Sequence, residues 1–214
     1  MSTRRRFFGA LAASVAALPA MLRASAPLPS RSDDWDLRWV DQLKGVHKQV
    51  FDIGPVHEGL LHVVMNWMNA HNEVYGLKDN QLTAVVGLAS RGFSANANDA
   101  MWAKYGIGEH NQIRDPDTGE WATRNIMVHL PADTPPMFKG MSVPALVDRG
   151  VIFWQCNNAL HGIAAGIANA TNQAPNVVYE ELKANLLPHV KLVPAHTMLV
   201  GLCQERGCTY EALI

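Results

Sequence analysis

Two apolar stretches decide the fold: LTAVVGL at residues 82–88 and VIFWQ at residues 151–155. Runs of this length, rich in β-branched and aromatic residues, are typical of strands that are covered on both faces. Such strands belong to parallel sheets, in which each strand reaches the next through a crossover connection that is usually a helix. The sequence therefore predicts an α/β fold.

The segments on either side of these two stretches alternate between strand and helix patterns. The predicted strands lie at residues 46–53, 82–88, 151–155 and 190–193, with a short edge strand at 209–213, and the predicted helices lie at 60–71, 94–104, 142–149, 157–169, 177–186 and 197–206. Ser94 is the predicted N-cap of the second helix. We expect a flavodoxin-like three-layer sandwich, with a mostly parallel sheet and helices on both faces.

Residues 106–125 interrupt this alternation with a polar stretch that predicts a long loop. Asp115, Asp117 and Gly119 resemble the beginning of a calcium-binding loop, but the acidic residues that complete such a loop are missing. The pattern favours an ordinary turn containing Pro116 and Gly119 over a metal site.

The N-terminus predicts export. TRRRFF at residues 3–8 places consecutive arginines ahead of two aromatic residues, and the apolar run at 9–22 is too short to span a bilayer. Ala24-Ser25-Ala26 supplies the small residues that a signal peptidase reads. We therefore expect 1–26 to be a twin-arginine signal peptide recognised by the twin-arginine translocase, and 27–34 a flexible leader. A single α/β domain at 35–214 would then be periplasmic or otherwise exported.

The charge of the remaining chain restricts its partners. Four of the 18 Lys and Arg residues, and none of the 19 Asp and Glu residues, fall in the predicted signal, so the remainder carries a net charge of about −5. A nucleic-acid partner would require a basic surface, so we expect none. No second apolar run reaches the length of a membrane span, so we also expect no transmembrane segment after signal cleavage.

Candidate site residues follow the predicted strands directly. In open parallel sheets, ligands bind outside the carboxyl ends of the strands. Because all these ends lie at the same edge, we expect the side chains that follow the strands to approach one another there. They are His57, Arg91, Cys156, Asn157, Asn158 and His196.

Cys156 is the most specific of these candidates, because it stands between a buried strand and the next helix. The free N–H groups and the dipole of a helix N-terminus stabilise a thiolate, which is the nucleophilic form of cysteine. The alternative is a buried cysteine that packs as a small hydrophobic residue. Three cysteines cannot all be paired within one chain, and a disulfide between Cys203 and Cys208 would require the last helix to end at Gly207.

Two segments carry a resemblance to a known family. LVDRGVIFWQCNN at 146–158 and LPHVKLVPAH at 187–196 resemble the helix, strand and cysteine segment and the closing segment of DsrE/DsrF-like proteins, and the similarity extends over roughly 45–214. Further matching positions are Leu199, Leu202, Gln204, Gly207 and Tyr210. The resemblance implies that Cys156 accepts sulfur as a persulfide and passes it along a relay, and that the chain forms homo- or hetero-oligomers. The relays of that family are cytoplasmic, whereas this chain carries an export signal.

Three hypotheses for function remain open from the sequence. The first is a sulfur-handling or thiol-redox protein that uses Cys156, with Arg91, His57 or His196 supplying positive charge. The second is a protein that binds a metal or haem through His57 and His196, together with Cys156. The third is a noncatalytic oligomeric interaction module. The sequence contains no zinc-type cysteine pair, no phosphate-binding glycine-rich loop and no haem c attachment motif that would name a cofactor.

Overall fold

The computed structural model describes residues 35–213, which form a five-stranded parallel sheet flanked by helices. The strands are β1 (His47–Ile53), β2 (Leu82–Leu88), β3 (Ile152–Cys156), β4 (Lys191–Val193) and β5 (Thr209–Leu213), and their order across the sheet is β4-β3-β2-β1-β5. Every neighbouring pair of strands is parallel. This architecture confirms the predicted α/β class and is consistent with a flavodoxin-like three-layer sandwich.

Helices connect the strands as the crossover rule requires. The α-helices are α1 (His62–Tyr75), α2 (Asp99–Lys104), α3 (Ile107–His110), α4 (Val143–Asp148), α5 (Asn157–Thr171), α6 (Pro175–Ala184) and α7 (His196–Glu205). Short 3₁₀ helices lie at Arg38–Gln42, Asp79–Gln81, Ser90–Asn96 and Pro136–Met141. Within residues 35–213, no helix has both the length and the apolar character that a membrane span requires.

The order of the strands explains why helices cover both faces of the sheet. The chain moves in one direction from β1 to β4, so right-handed connections keep α1 to α6 on one face, whereas the return from β4 to β5 sends α7 to the other face. Residues that are neighbours in β2 therefore enter different cores. Val86 packs in the cluster that includes α1 and α5, and Val85 packs with α7 and the 3₁₀ helix Arg38–Gln42. This two-sided burial is the physical reason for the unbroken apolar run in the sequence.

The predicted helix at 94–104 is wrong in its beginning and its cap. Residues 90–96 form a 3₁₀ helix, and α2 is capped by Asn98, whose Oδ1 accepts from Met101 N–H at 3.1 Å. The reason is a distant side chain. The buried Asn125 amide donates to the carbonyl oxygens of Ser94, Ala95 and Ala97 at 3.3, 3.0 and 2.8 Å. These carbonyls are thereby satisfied without an α-helix.

The polar stretch at 106–125 is more ordered than a loop, because it contains α3 and an isolated bridge between Arg114 and Trp121. The carboxylates of Asp115 and Asp117 both accept from the Arg124 guanidinium. These hydrogen bonds lower the pKa of Asp115 below its usual value. Gly119 N–H closes the turn on Asp115 O at 2.8 Å. The two aspartates therefore organise this segment around an arginine.

Two further expectations concern the N-terminal segment and the large apolar residues of α1 and α2. The predicted signal at 1–26 and leader at 27–34 lie outside the described residues. The sequence is compatible with either a subunit interface or a core position for Trp67, Met68 and Trp102. Met68 and Trp102 are buried in the core, and Trp67 packs against it partly buried.

Candidate functional site

The candidate site lies where the connections that follow β3 and β4 diverge. The chain leaves β3 into α5 on one face of the sheet and leaves β4 into α7 on the other, so the two connections diverge at the carboxyl ends of these neighbouring strands. Such a switch point is the usual ligand position in open α/β sheets. Asn158 N–H donates to Pro194 O at 3.4 Å and joins the two connections. The two connections are therefore held together at this edge.

Cys156 ends β3 and faces the N-termini of two helices. Its Sγ accepts from Ala159 N–H, in the first turn of α5, at 3.4 Å and from His196 N–H, the first residue of α7, at 3.3 Å. Both main-chain donors and the positive ends of both helix dipoles stabilise negative charge on the sulfur. The residue is 5% exposed, so the sulfur is largely shielded from water. The sulfur is therefore an acceptor for main-chain donors from two separate helices.

The ring of His196 has both nitrogens engaged. Trp154 Nε1–H donates to Nδ1 at 3.1 Å, and Nε2 lies 2.9 Å from Asp52 Oδ1. The indole nitrogen can only donate, so Nδ1 accepts and Nε2 carries the proton that is donated to Asp52. These contacts fix one neutral tautomer of the ring. A metal could bind His196 only by breaking one of them.

Asp52 and Tyr210 extend this hydrogen-bonded chain toward solvent. Tyr210 O–H donates to Asp52 Oδ2 at 2.7 Å, and this hydrogen bond raises the pKa of the phenol above its usual value. Together with His196 they line a shallow pocket of about 250 Å³. The sequence prediction missed Asp52, Trp154 and Tyr210. For Asp52, the available sequence signal was a charged residue within a β-prone run, one position before the end of the strand.

Gly87 in β2 makes room for the site. A Cβ atom at this position would lie 2.5 Å from Trp154 Cζ2 and 3.0 Å from His196 Cε1. The indole and imidazole rings can therefore pack over the strand only if residue 87 has no side chain. A glycine inside a strand is the sequence signal for such a close approach.

Arg91 lies at a second pocket on the opposite face of the sheet from α7. It is exposed in the 3₁₀ helix that follows β2, and it lines a cavity of about 440 Å³ together with Tyr105, His110 and the small residues of α5. Ala159, whose N–H donates to Cys156, also lines this cavity. The cavity therefore begins one helical turn from the cysteine.

The remaining predicted residues have other surroundings. His57 is exposed after β1, with Nδ1 2.8 Å from Glu58 O. Asn157 Oδ1 accepts from Tyr179 O–H at 2.7 Å, which ties α5 to α6, and Asn158 is exposed. Within residues 35–213, neither His57 nor Arg91 forms a hydrogen bond or an ion pair with Cys156 or His196.

Metal-ligating residues do not cluster in the described part of the chain. Residues 35–213 contain no group of three or more His, Cys, Asp or Glu side chains arranged to hold a metal ion. Since both nitrogens of His196 are already engaged, the structure gives the metal-binding hypothesis no specific support.

Comparison with known proteins adds little about function. No family model and no curated protein sequence matches the chain. A solved structure of a protein of unknown function from Methanobacterium thermoautotrophicum is similar to it, with 16% sequence identity and a TM-score of 0.40. The similarity covers 78% of this chain and 98% of that one. At this level of similarity, it says nothing about what either protein does.

Proposed function

We propose that the protein accepts a sulfur atom on Cys156 and holds it as a persulfide. The observation that carries this proposal is the pair of main-chain N–H groups, one from each of two helices, that donate to Cys156 Sγ at 3.4 and 3.3 Å. A cysteine that served only as packing would not require two donors from separate helix N-termini. Donors to sulfur favour the thiolate, which is the attacking species in sulfur exchange.

The proposed reaction transfers one sulfur atom from a small persulfide. The Cys156 thiolate attacks the terminal sulfur of the donor R–S–SH, a bond forms between the two sulfurs, and the donor S–S bond breaks. The products are the Cys156 persulfide and the thiolate R–S⁻. The transferred sulfur carries its proton with it, so the step needs no external oxidant or reductant.

The resemblance to DsrE/DsrF-like proteins supports the same proposal from the sequence. In that family, the sulfur acceptor is a cysteine after the third strand, and Cys156 ends β3 here. On sequence grounds, we extend the proposal to an exported, oligomeric member of that family, translocated by the twin-arginine route. Its oligomers would be homo- or hetero-oligomers, as the resemblance implies.

Native-state alkylation tests whether Cys156 is a functional thiol. In the Cys203→Ser/Cys208→Ser variant, we expect iodoacetamide to modify Cys156 in the folded protein more slowly than in the unfolded chain, because the residue is 5% exposed, but within about 100-fold of that rate. A thiol that reacts only after global unfolding would be slower by about 1,000-fold or more. Peptide mass spectrometry of timed samples gives both rates. If Cys156 in the folded protein is alkylated only at the rate that global unfolding allows, the proposal is contradicted.

Two substitutions at residue 196 separate the main-chain donor from the ring. His196→Pro removes the N–H that donates to Cys156, and proline is well tolerated at the first position of a helix. Residue 195 already has the extended backbone that precedes proline, with φ −149° and ψ 134°. His196→Ala removes the ring and keeps the N–H. We expect His196→Pro to slow alkylation of Cys156 about tenfold more than His196→Ala, since a hydrogen bond to a charged group contributes about 1.5 kcal/mol. Equal rates would show that the N–H does not act on the sulfur.

A further inference from the structure

The C-terminal end of α7 brings two cysteines together. Cys208 N–H donates to Cys203 O at 3.0 Å, and Gly207 N–H donates to Gln204 O at 2.9 Å. Gly207 has a φ of +82°, which a glycine adopts without strain. These bonds define a Schellman motif, in which the side chains at the positions of Cys203 and Cys208 normally touch. In this chain, both of those side chains are thiols.

The two thiols are buried in the same core cluster. Cys203 is 0% exposed and Cys208 is 6% exposed, and both are free thiols. The proximity of the two thiols raises the pKa of Cys203 and lowers that of Cys208. The ammonium group of Lys48 lowers the pKa of Cys208 further. That ammonium group is anchored by the main-chain oxygens of Leu43 and Arg206, beside the turn.

We propose that Cys203 and Cys208 are a redox pair that forms a reversible disulfide at the end of α7. A disulfide requires Cα atoms about 4.4–6.8 Å apart, and the main-chain hydrogen bond from Cys208 N–H to Cys203 O at 3.0 Å keeps the two backbones close. The bond would link the last turn of α7 to the start of the edge strand β5. It would also account for the odd number of cysteines, because Cys156 would remain as the single unpaired thiol.

The oxidant is a disulfide of a small thiol, such as glutathione disulfide. The Cys208 thiolate attacks one of its sulfurs and releases one glutathione thiolate, which leaves a mixed disulfide on Cys208. Cys203 then loses its proton, attacks the Cys208 sulfur and releases the second glutathione thiolate. The pair loses two electrons, and one glutathione disulfide becomes two glutathione molecules.

The test uses the full chain with Cys156→Ser, so that its outcome is independent of the function proposed for Cys156. After incubation with glutathione disulfide, we expect the thiol count to fall from two to zero and the intact mass to fall by about 2 Da. Trypsin cleaves after Arg206, so the bond should appear as two linked peptides. Oxidation should raise Tm by about 4–8 °C, and dithiothreitol should reverse all of these changes.

A second variant that lacks one thiol of the pair provides the matched control. In Cys156→Ser/Cys203→Ser, Cys208 has no partner and should accumulate the glutathione mixed disulfide. If the intact pair also accumulates that mixed disulfide, or keeps both thiols free in glutathione disulfide, the proposal is overturned.

Discussion

Cys156→Ser should abolish sulfur acceptance from glutathione persulfide, with a loss of at least about 100-fold in the rate of thiolate release. Serine keeps an acceptor for the N–H groups of Ala159 and His196, so the helix ends remain satisfied. Its oxygen cannot carry the transferred sulfur as a persulfide. The rate of glutathione release from the persulfide measures this effect, and an unchanged Tm shows that the fold is intact.

The matched control for this experiment is the Cys203→Ser/Cys208→Ser variant, which keeps Cys156 and should retain the wild-type rate. Both of its substitutions lie at the other end of α7 from His196. If Cys156→Ser keeps the wild-type rate, Cys156 is not the acceptor.

Gly87→Ala should destabilise the protein by about 2–3 kcal/mol, because the added methyl group overlaps the Trp154 ring in a fully buried strand. The overlap is severe, since the Cβ would lie 2.5 Å from Trp154 Cζ2. Movement of Trp154 would also disturb His196, which it holds by the hydrogen bond to Nδ1. We therefore expect a lower midpoint in urea unfolding and slower alkylation of Cys156.

Gly162→Ala is the control for this substitution. No atom lies within 4 Å of a Cβ built on Gly162, and the residue is exposed within α5. Alanine is favoured over glycine inside a helix by up to about 1 kcal/mol, so this variant should be as stable as the wild type or more stable. If Gly87→Ala matches it in stability, the packing of Trp154 against β2 is not as tight as described.

The strands were the most predictable part of the fold. An unbroken apolar run at 82–88 predicted β2 with its observed limits, and the short segment at 209–213 is the predicted edge strand. These patterns can be recognised within the segment itself, because a strand that is buried on both faces is apolar at nearly every position. The 3₁₀ helix Arg38–Gln42 was missed, although its Trp39 packs on Trp154 with ring centroids 6.2 Å apart.

Distant side chains caused the main error along the chain. The segment 94–104 has a helical pattern, but Asn125 binds three of its carbonyl groups from about 30 residues away in sequence. The helix propensity of the segment contains no information about such a distant contact.

The contact between Cys156 and His196 was predictable from the sequence, whereas its chemistry and the separate positions of His57 and Arg91 were not. Cys156 and His196 follow neighbouring strands, so the topology brings them together. His196 acts on the sulfur through its main-chain N–H, whereas its ring is bound to Trp154 and Asp52. The sequence identifies the side chains of a site, but which main-chain N–H groups reach the site depends on how the helices are placed in three dimensions. His57 follows β1, which lies two strands from β3, about 10 Å across the sheet.

The most direct test of the central claim is the mass of the peptide that contains Cys156 after the folded wild-type protein has reacted with glutathione persulfide. Alkylation before digestion traps any persulfide that has formed. The account predicts that this peptide gains one sulfur atom, about 32 Da, and that dithiothreitol removes it. A Cys156 peptide that carries no added sulfur, in a protein that is folded and fully reduced, would contradict the account.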